Sequence, residues 1–144
     1  MKEFTLALIF DLSGSRTLLI HKTSLNSPPA VYDKWNGVGG KLNIDESPLE
    51  GCVREIKEET NLSLSTLKHF ANLTDGENWK VYCFYTFTNK ISNYTQTTSE
   101  KLEIYNTKLL PENCVSNIPY LVNMALNFER ESADLLEVKE IYFD

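Results

Sequence analysis

Glu55, Glu58 and Glu59 stand at positions i, i+3 and i+4 of the stretch 40–62, GKLNIDESPLEGCVREIKEETNL. On a helix turning about 100° per residue they fall within one arc of about 100°, so three carboxylates share one small patch. Leu49, Cys52, Val53 and Ile56 cover the neighbouring arc, while Glu50, Arg54 and Lys57 point elsewhere. The acids therefore border the buried face. Like charges at the edge of a low-dielectric core do not all stay ionised unless a cation neutralises them, and a hard divalent ion suits carboxylate oxygens. A cation held by carboxylates, with a further carboxylate free to prepare water, is the equipment that phosphoanhydride hydrolysis needs. The competing reading is a solvated Glu-rich face laced by pairs such as Glu50 with Arg54 or Arg54 with Glu58. The flanking glycines and Glu46 weigh against it.

The ends of this helix are written in short-range chemistry. Ser47, Pro48 and Glu50 read as an N-cap, a proline at the first helical position and the reciprocal glutamate of a capping box. Asn61 suits a left-handed residue just past the C-terminus, so the expected span is 48–60.

The spacing Gly40, five residues, Glu46, seven residues, then Arg54-Glu55-Ile56-Lys57-Glu58-Glu59-Thr60-Asn61-Leu62 resembles the box of the Nudix hydrolases. The family usually has Gly where this chain has Asn61, a substitution that keeps the backbone conformation and leaves the acids intact. The resemblance implies an α/β fold, an α/β/α sandwich with a mixed β-sheet between helices. It also implies hydrolysis of a nucleoside diphosphate linked to another group, dependent on Mg²⁺ or Mn²⁺. The metal would be held by the Gly40 carbonyl, Glu55, Glu58 and Glu59. A further glutamate ahead of Leu110-Pro111, Glu100 or Glu103 with Glu100 preferred, would join them. Glu55 or Glu100 would serve as general base, Arg54 would hold Glu58 one turn on, and Glu46 would cap or orient the loop.

The run Trp35-Asn36-Gly37-Val38-Gly39-Gly40-Lys41 resembles the MutT-type members of the family, which use the asparagine in base recognition. This favours a nucleoside triphosphate cleaved to monophosphate and pyrophosphate, with an oxidised purine deoxynucleotide such as 8-oxo-dGTP among the candidates. Asn36 would read the purine edge, since an amide donates and accepts at once. Alternatively it only shapes the turn before Gly37. Asn117 is a weaker candidate for the same pocket. Lys41 and Lys22 are either phosphate contacts or solvated lysines, and Trp35 is read as a packing anchor in preference to a stacking platform. The alternative substrate is ADP-ribose or another nucleoside diphosphate sugar. A non-catalytic nucleotide-binding module or an RNA-end-processing role is the third reading, against which the complete set of acids and the acidic surface respectively weigh.

The elements that must position these residues come next. With 144 residues, 42% hydrophobic and 24% charged, the chain suits a single domain spanning 1–144. Residues 4–12 and 17–22 read as a hairpin of strands, apolar on both faces, which calls for a sheet covered on two sides. Residues 23–34, with Pro28-Pro29, read as a loop near the site, and the three glycines after Asn36 as a place where the backbone turns sharply and approaches another group closely. Strands are expected at 66–73, 79–88 and 100–105. Asn117 can cap a second helix whose stripe is Ile118, Leu121, Val122, Ala125 and Leu126. The tail 135–143 reads as a closing strand or a short helix. Cys52, Cys83 and Cys114 are odd in number and widely spaced, and are read as reduced thiols without a zinc site. A net charge of -6 and the lack of a basic run argue against long nucleic acid and leave a small nucleotide as the partner. The apolar run at Leu6 is too short for a membrane span, and Glu3 is out of place in a signal peptide, so no membrane association and a cytoplasmic location are expected.

Overall fold

The strand Lys2–Phe10 (β1) organises the layers through its side-chain alternation. Leu6, Leu8 and Phe10 enter one hydrophobic core, and Ala7 and Ile9 enter another on the opposite face. A strand this apolar on both sides needs cover on both, and each face has its helix. Cys52 and Ile56 of the helix Pro48–Thr60 (α1) fill the core on the Ala7 side. Ile118, Leu121, Val122 and Ala125 of the helix Ile118–Glu131 (α2) fill the core on the Leu8 side. The result is the α/β/α sandwich with a mixed sheet. It is seen in a computed structural model that describes residues 1–131 and the backbone of one further strand, Leu136–Lys139.

The other strands in chain order are Arg16–Lys22 (β2), Lys34–Asn36 (β3), Val38–Lys41 (β4), Lys68–Thr74 (β5), Trp79–Phe87 (β6), Leu102–Asn106 (β7) and Leu136–Lys139 (β8). They form one sheet in the order β3-β2-β1-β6-β5-β8, with β4 also on β1 and β7 also on β2. The pair β1·β6 is parallel from Lys2 opposite Trp79 to Phe10 opposite Phe87, which makes β6 the central strand its two apolar faces predict. Strands β1 and β2 pair only at Ile9–Leu18 and Phe10–Thr17. Beyond that they splay, and the nearly continuous β3–β4 segment fills the gap, pairing first with β2 and then with β1.

That segment corrects one expectation. The glycine-rich run after Asn36 does not make a sharp turn; it lies extended in the sheet, and neither Gly39 nor Gly40 has a positive φ. What the glycines permit is close approach. A Cβ at Gly39 would lie 2.0 Å from the carbonyl oxygen of Thr5, and one at Gly40 would lie 2.6 Å from Glu55 Oε1. Smaller shifts occur at element ends: β1 stops at Phe10, leaving Leu12 exposed, and β7 begins at Leu102. The tail resolves in favour of a strand, β8, parallel to β5; the rest of 135–143 lies outside the described residues. Cys52, Cys83 and Cys114 form no disulfide with one another. Among the described residues no helix is long and apolar enough to cross a membrane.

Candidate active site

Helix α1 carries the acids, and its ends are fixed as its sequence predicts. The Glu50 N–H donates to Ser47 Oγ (3.1 Å) and the Ser47 N–H donates to Glu50 Oε1 (2.9 Å), a complete capping box behind Pro48. At the other end Asn61 is left-handed, with φ 64°, and its N–H donates to the Lys57 carbonyl. The last carbonyls find donors from the polar run before β7: Thr95 N–H reaches Thr60 O, and the Thr97 hydroxyl reaches Glu58 O. No periodic signal in 89–99 announces these two contacts. They hold the end of the helix where the carboxylates emerge.

Arg54 is the centre of the first charge group. Its Nε and Nη2 fork onto Glu46 at 2.7 and 2.9 Å, its Nη1 reaches Glu55 (3.0 Å) and Glu58 (3.1 Å), and its Nη2 also donates to the Lys41 carbonyl (3.1 Å). The expected hold on Glu58 is present, but the two-pronged partner is Glu46, which the sequence could not show because the loop 42–47 must first fold back. Glu46 also accepts from the Asn43 N–H (2.9 Å), so it ties the loop to the helix, and Arg54 holds its carboxyl below the usual range.

Lys22 is the centre of the second group. Its Nζ lies 3.4 Å from Glu59 Oε2 and 3.4 Å from Glu100 Oε1. Glu59 Oε1 accepts from the Gly39 N–H (2.9 Å), and Glu100 Oε2 accepts from the N–H groups of Thr23 (2.7 Å) and Ser24 (3.0 Å). Glu100 is thus the acid brought beside the box. Glu103 is exposed on β7 and bonds Tyr105 instead. The two backbone donors at Thr23 and Ser24 are site groups that side-chain reasoning misses.

The side chains of Glu55 and Glu59 are only 13% and 11% exposed, whereas Glu58 is 57% exposed. Burial raises the Glu55 carboxyl above its ordinary range despite Arg54, and burial pushes Glu59 up to about 7 despite Lys22 and the Gly39 N–H. Both therefore favour a further cation. The donors are all oxygens, and the Glu55 carboxylate rests directly on the Gly40 backbone where a Cβ would intrude, so the set fits a hard divalent ion. As they stand, Arg54 and Lys22 divide the acids between them, and among the described residues no three His, Cys, Asp or Glu side chains form a closed ligand cluster.

The remaining candidates are less closely drawn in. The side chain of Lys41 is exposed. Asn36 is half-buried, and its Oδ1 accepts from the Gly37 N–H (2.8 Å) in extended backbone, with no sharp turn there. Trp35 stacks on His21 and meets Tyr105 edge-on, which is packing. Its backbone also pairs with Asn113 and Val115, and so draws the segment ahead of α2 alongside β3. Asn117 sits there, half-buried, its carbonyl accepting from the Leu121 N–H.

Comparisons with known proteins bear on this arrangement. The family model for the NUDIX domain matches residues 4–113. A MutT protein structure from Methanosarcina mazei Go1 is 26% identical, with a TM-score of 0.63 and coverage of 92% of this chain and 96% of that one. An ADP-ribose pyrophosphatase structure from Streptococcus suis 89-1591 is 19% identical, with a TM-score of 0.69 and coverage of 94% and 97%; at that identity it shares the fold. The m7GpppN-mRNA hydrolase of Saccharomyces cerevisiae is 27% identical over 125 residues, 81% of this chain but only 12% of that relative's length.

Proposed function

The chain belongs to the Nudix family, and on that premise we propose that it is a divalent-metal-dependent nucleoside triphosphate diphosphatase. The products are a nucleoside monophosphate and pyrophosphate. The observation that carries the hydrolytic reading is the packing of two nearly buried, proton-favouring carboxylates, Glu55 and Glu59, against the backbone of β4 at Gly40 and Gly39. Glu55, Glu58, Glu59, the Gly40 carbonyl and Glu100 would hold Mg²⁺ or Mn²⁺. The ion would neutralise the charge that shifts in the transition state and polarise the anhydride oxygens.

The protein's own groups divide the remaining work. A general base operates best with a pKa near the working pH. Burial shifts the Glu55 carboxyl upward, toward that condition, and its carboxylate lies against Gly40. Glu100 has both oxygens engaged by Lys22, Thr23 and Ser24, which suits a fixed ligand more than a base. Arg54 and Glu46 orient Glu55, Glu58 and the loop. Asn36, on β3 at the head of the glycine strand, contributes to reading the base. Its Oδ1 is engaged by Gly37, but a carboxamide retains a second lone pair and an NH₂.

Incubation with Mg²⁺ and a panel of nucleotides, with products identified by mass, tests this. Monophosphate and pyrophosphate from a purine triphosphate are the expected result. ADP-ribose turned over faster than every triphosphate would overturn the substrate class. A capped RNA belongs in the panel because of the yeast relative, although the net charge of -6 and the absence of a basic run weigh against it.

A further inference from the structure

The ammonium of Lys22 lies between the carboxylates of Glu59 and Glu100. Its side chain is 19% exposed, at the end of β2. Around it the two carboxylates are arranged alike. Each has one oxygen pinned by backbone N–H groups, Glu59 Oε1 by Gly39 and Glu100 Oε2 by Thr23 and Ser24. The other oxygen of each faces the same point, and Lys22 Nζ occupies it at 3.4 Å from both. An ammonium hydrogen bond ordinarily runs 2.7–3.2 Å, so Lys22 is held there mainly by charge. Its flexible four-carbon stem lets it leave without moving β2.

We infer that Lys22 is a resident placeholder cation, neutralising Glu59 and Glu100 in the metal-free protein and giving up that position when a divalent ion enters. The inference rests on the metal-dependent reading proposed above. It assigns Lys22 a role toward the protein's own acids, as a positioning residue that keeps two backbone-pinned carboxylates facing one cation position before the ion arrives. It also makes metal binding an exchange of cations, so the measured affinity includes the work of displacing the lysine.

Two measurements without substrate test it. In the first, Mn²⁺ is titrated into the wild type, Lys22→Met and Lys22→Arg, with free Mn²⁺ followed by electron paramagnetic resonance. Removing a competing charge a few ångströms from the ligands should tighten binding by about 10-fold or more in Lys22→Met, and Lys22→Arg should stay close to wild type. Unchanged or weaker binding by Lys22→Met overturns the exchange, and so does equal tightening by Lys22→Arg. The second uses only wild-type protein, because Lys22→Met leaves two buried carboxylates uncompensated. Acetylation of Lys22 by an N-hydroxysuccinimide ester is followed by peptide mass spectrometry, with the exposed Lys101 and Lys108 as references. Saturating Mn²⁺ should accelerate Lys22 several-fold and leave the references unchanged; a Lys22 rate that Mn²⁺ leaves unchanged overturns the inference. Wild-type protein that binds no Mn²⁺ at millimolar concentration removes the metal-dependent reading itself. Wild-type binding with an unresponsive Lys22 removes the exchange alone.

Discussion

Adding a single methyl group at Gly39 and at Gly40 should separate the fold from the chemistry. At Gly39 the new Cβ would lie 2.0 Å from Thr5 O, 2.8 Å from Thr5 C and 3.0 Å from Leu6 Cα. All three atoms are β1 backbone, and β1 cannot retreat because β6 pairs with it along its whole length on the other side. Overpacking against a yielding core typically destabilises by about 1–3 kcal/mol, so against this unyielding strand Gly39→Ala should lose about 3 kcal/mol or more. At Gly40 the new Cβ would meet Glu55 Oε1 at 2.6 Å, Cδ at 2.7 Å and Oε2 at 2.9 Å, the far end of a flexible side chain. Glu55 can rotate away, and alanine restricts the unfolded chain by about 0.4–1 kcal/mol in the protein's favour, so Gly40→Ala should stay within about 1 kcal/mol of wild type. Its activity should nevertheless fall by about 10²-fold, the scale of a catalytic group displaced by about an ångström. Urea denaturation in chelator measures the first quantity, and pyrophosphate release with Mg²⁺ the second. Greater instability in Gly40→Ala than in Gly39→Ala, or full activity in Gly40→Ala, would refute the reasoning.

Further expectations concern single side chains. Asn61→Gly should be neutral or slightly stabilising and Asn61→Val should lose about 1 kcal/mol or more, because φ is 64° there; equal melting temperatures for the pair would contradict the strain argument. Glu59→Gln should reduce turnover at least ~10²-fold without loss of fold, judged by circular dichroism beside the kinetics. Burial raises the Glu59 carboxyl to about 7, so between the ordinary carboxylate range and pH 7 the folded metal-free protein holds a proton that the unfolded chain has released. Its contribution to stability should therefore fall as pH rises through that window, and Glu59→Gln should flatten the slope in denaturant titrations from pH 5 to 8. Asn36→Ala should lower kcat/KM for purine triphosphates by about 10-fold and blur discrimination between bases; an equal loss for every nucleotide would make the residue structural.

Short-range chemistry was readable in the sequence. Both ends of α1 follow from groups within a few residues, Ser47 with Glu50 and Asn61 with Lys57. The two-faced burial of β1 and β6 was readable because apolar residues occupy both alternating positions. The extended β3–β4 was not, because glycine disfavours strands and only the distant partners β1 and β2 impose that conformation. The choice between Glu100 and Glu103 needed the chain to close: burial and two amide donors from 23–24 bring the first to Lys22, while the alternation of β7 leaves the second outside. Arg54 likewise needed the loop 42–47 in place before Glu46 could become its forked partner.

The parallel pairing of β1 with β6 also governs how the molecule comes into being. Ala7, Leu8, Ile9 and Phe10 are made before β6, are fully buried in the folded protein, and find their long parallel partner only after β5 and its turn have been made. Closing so large a loop must precede any gain from the pairing, which slows this step relative to local contacts. Until then one edge of an apolar strand lacks its neighbour and can template association with other chains. The strand that later supports the glycine-rich β4 is, until β6 is made, a segment open to aggregation.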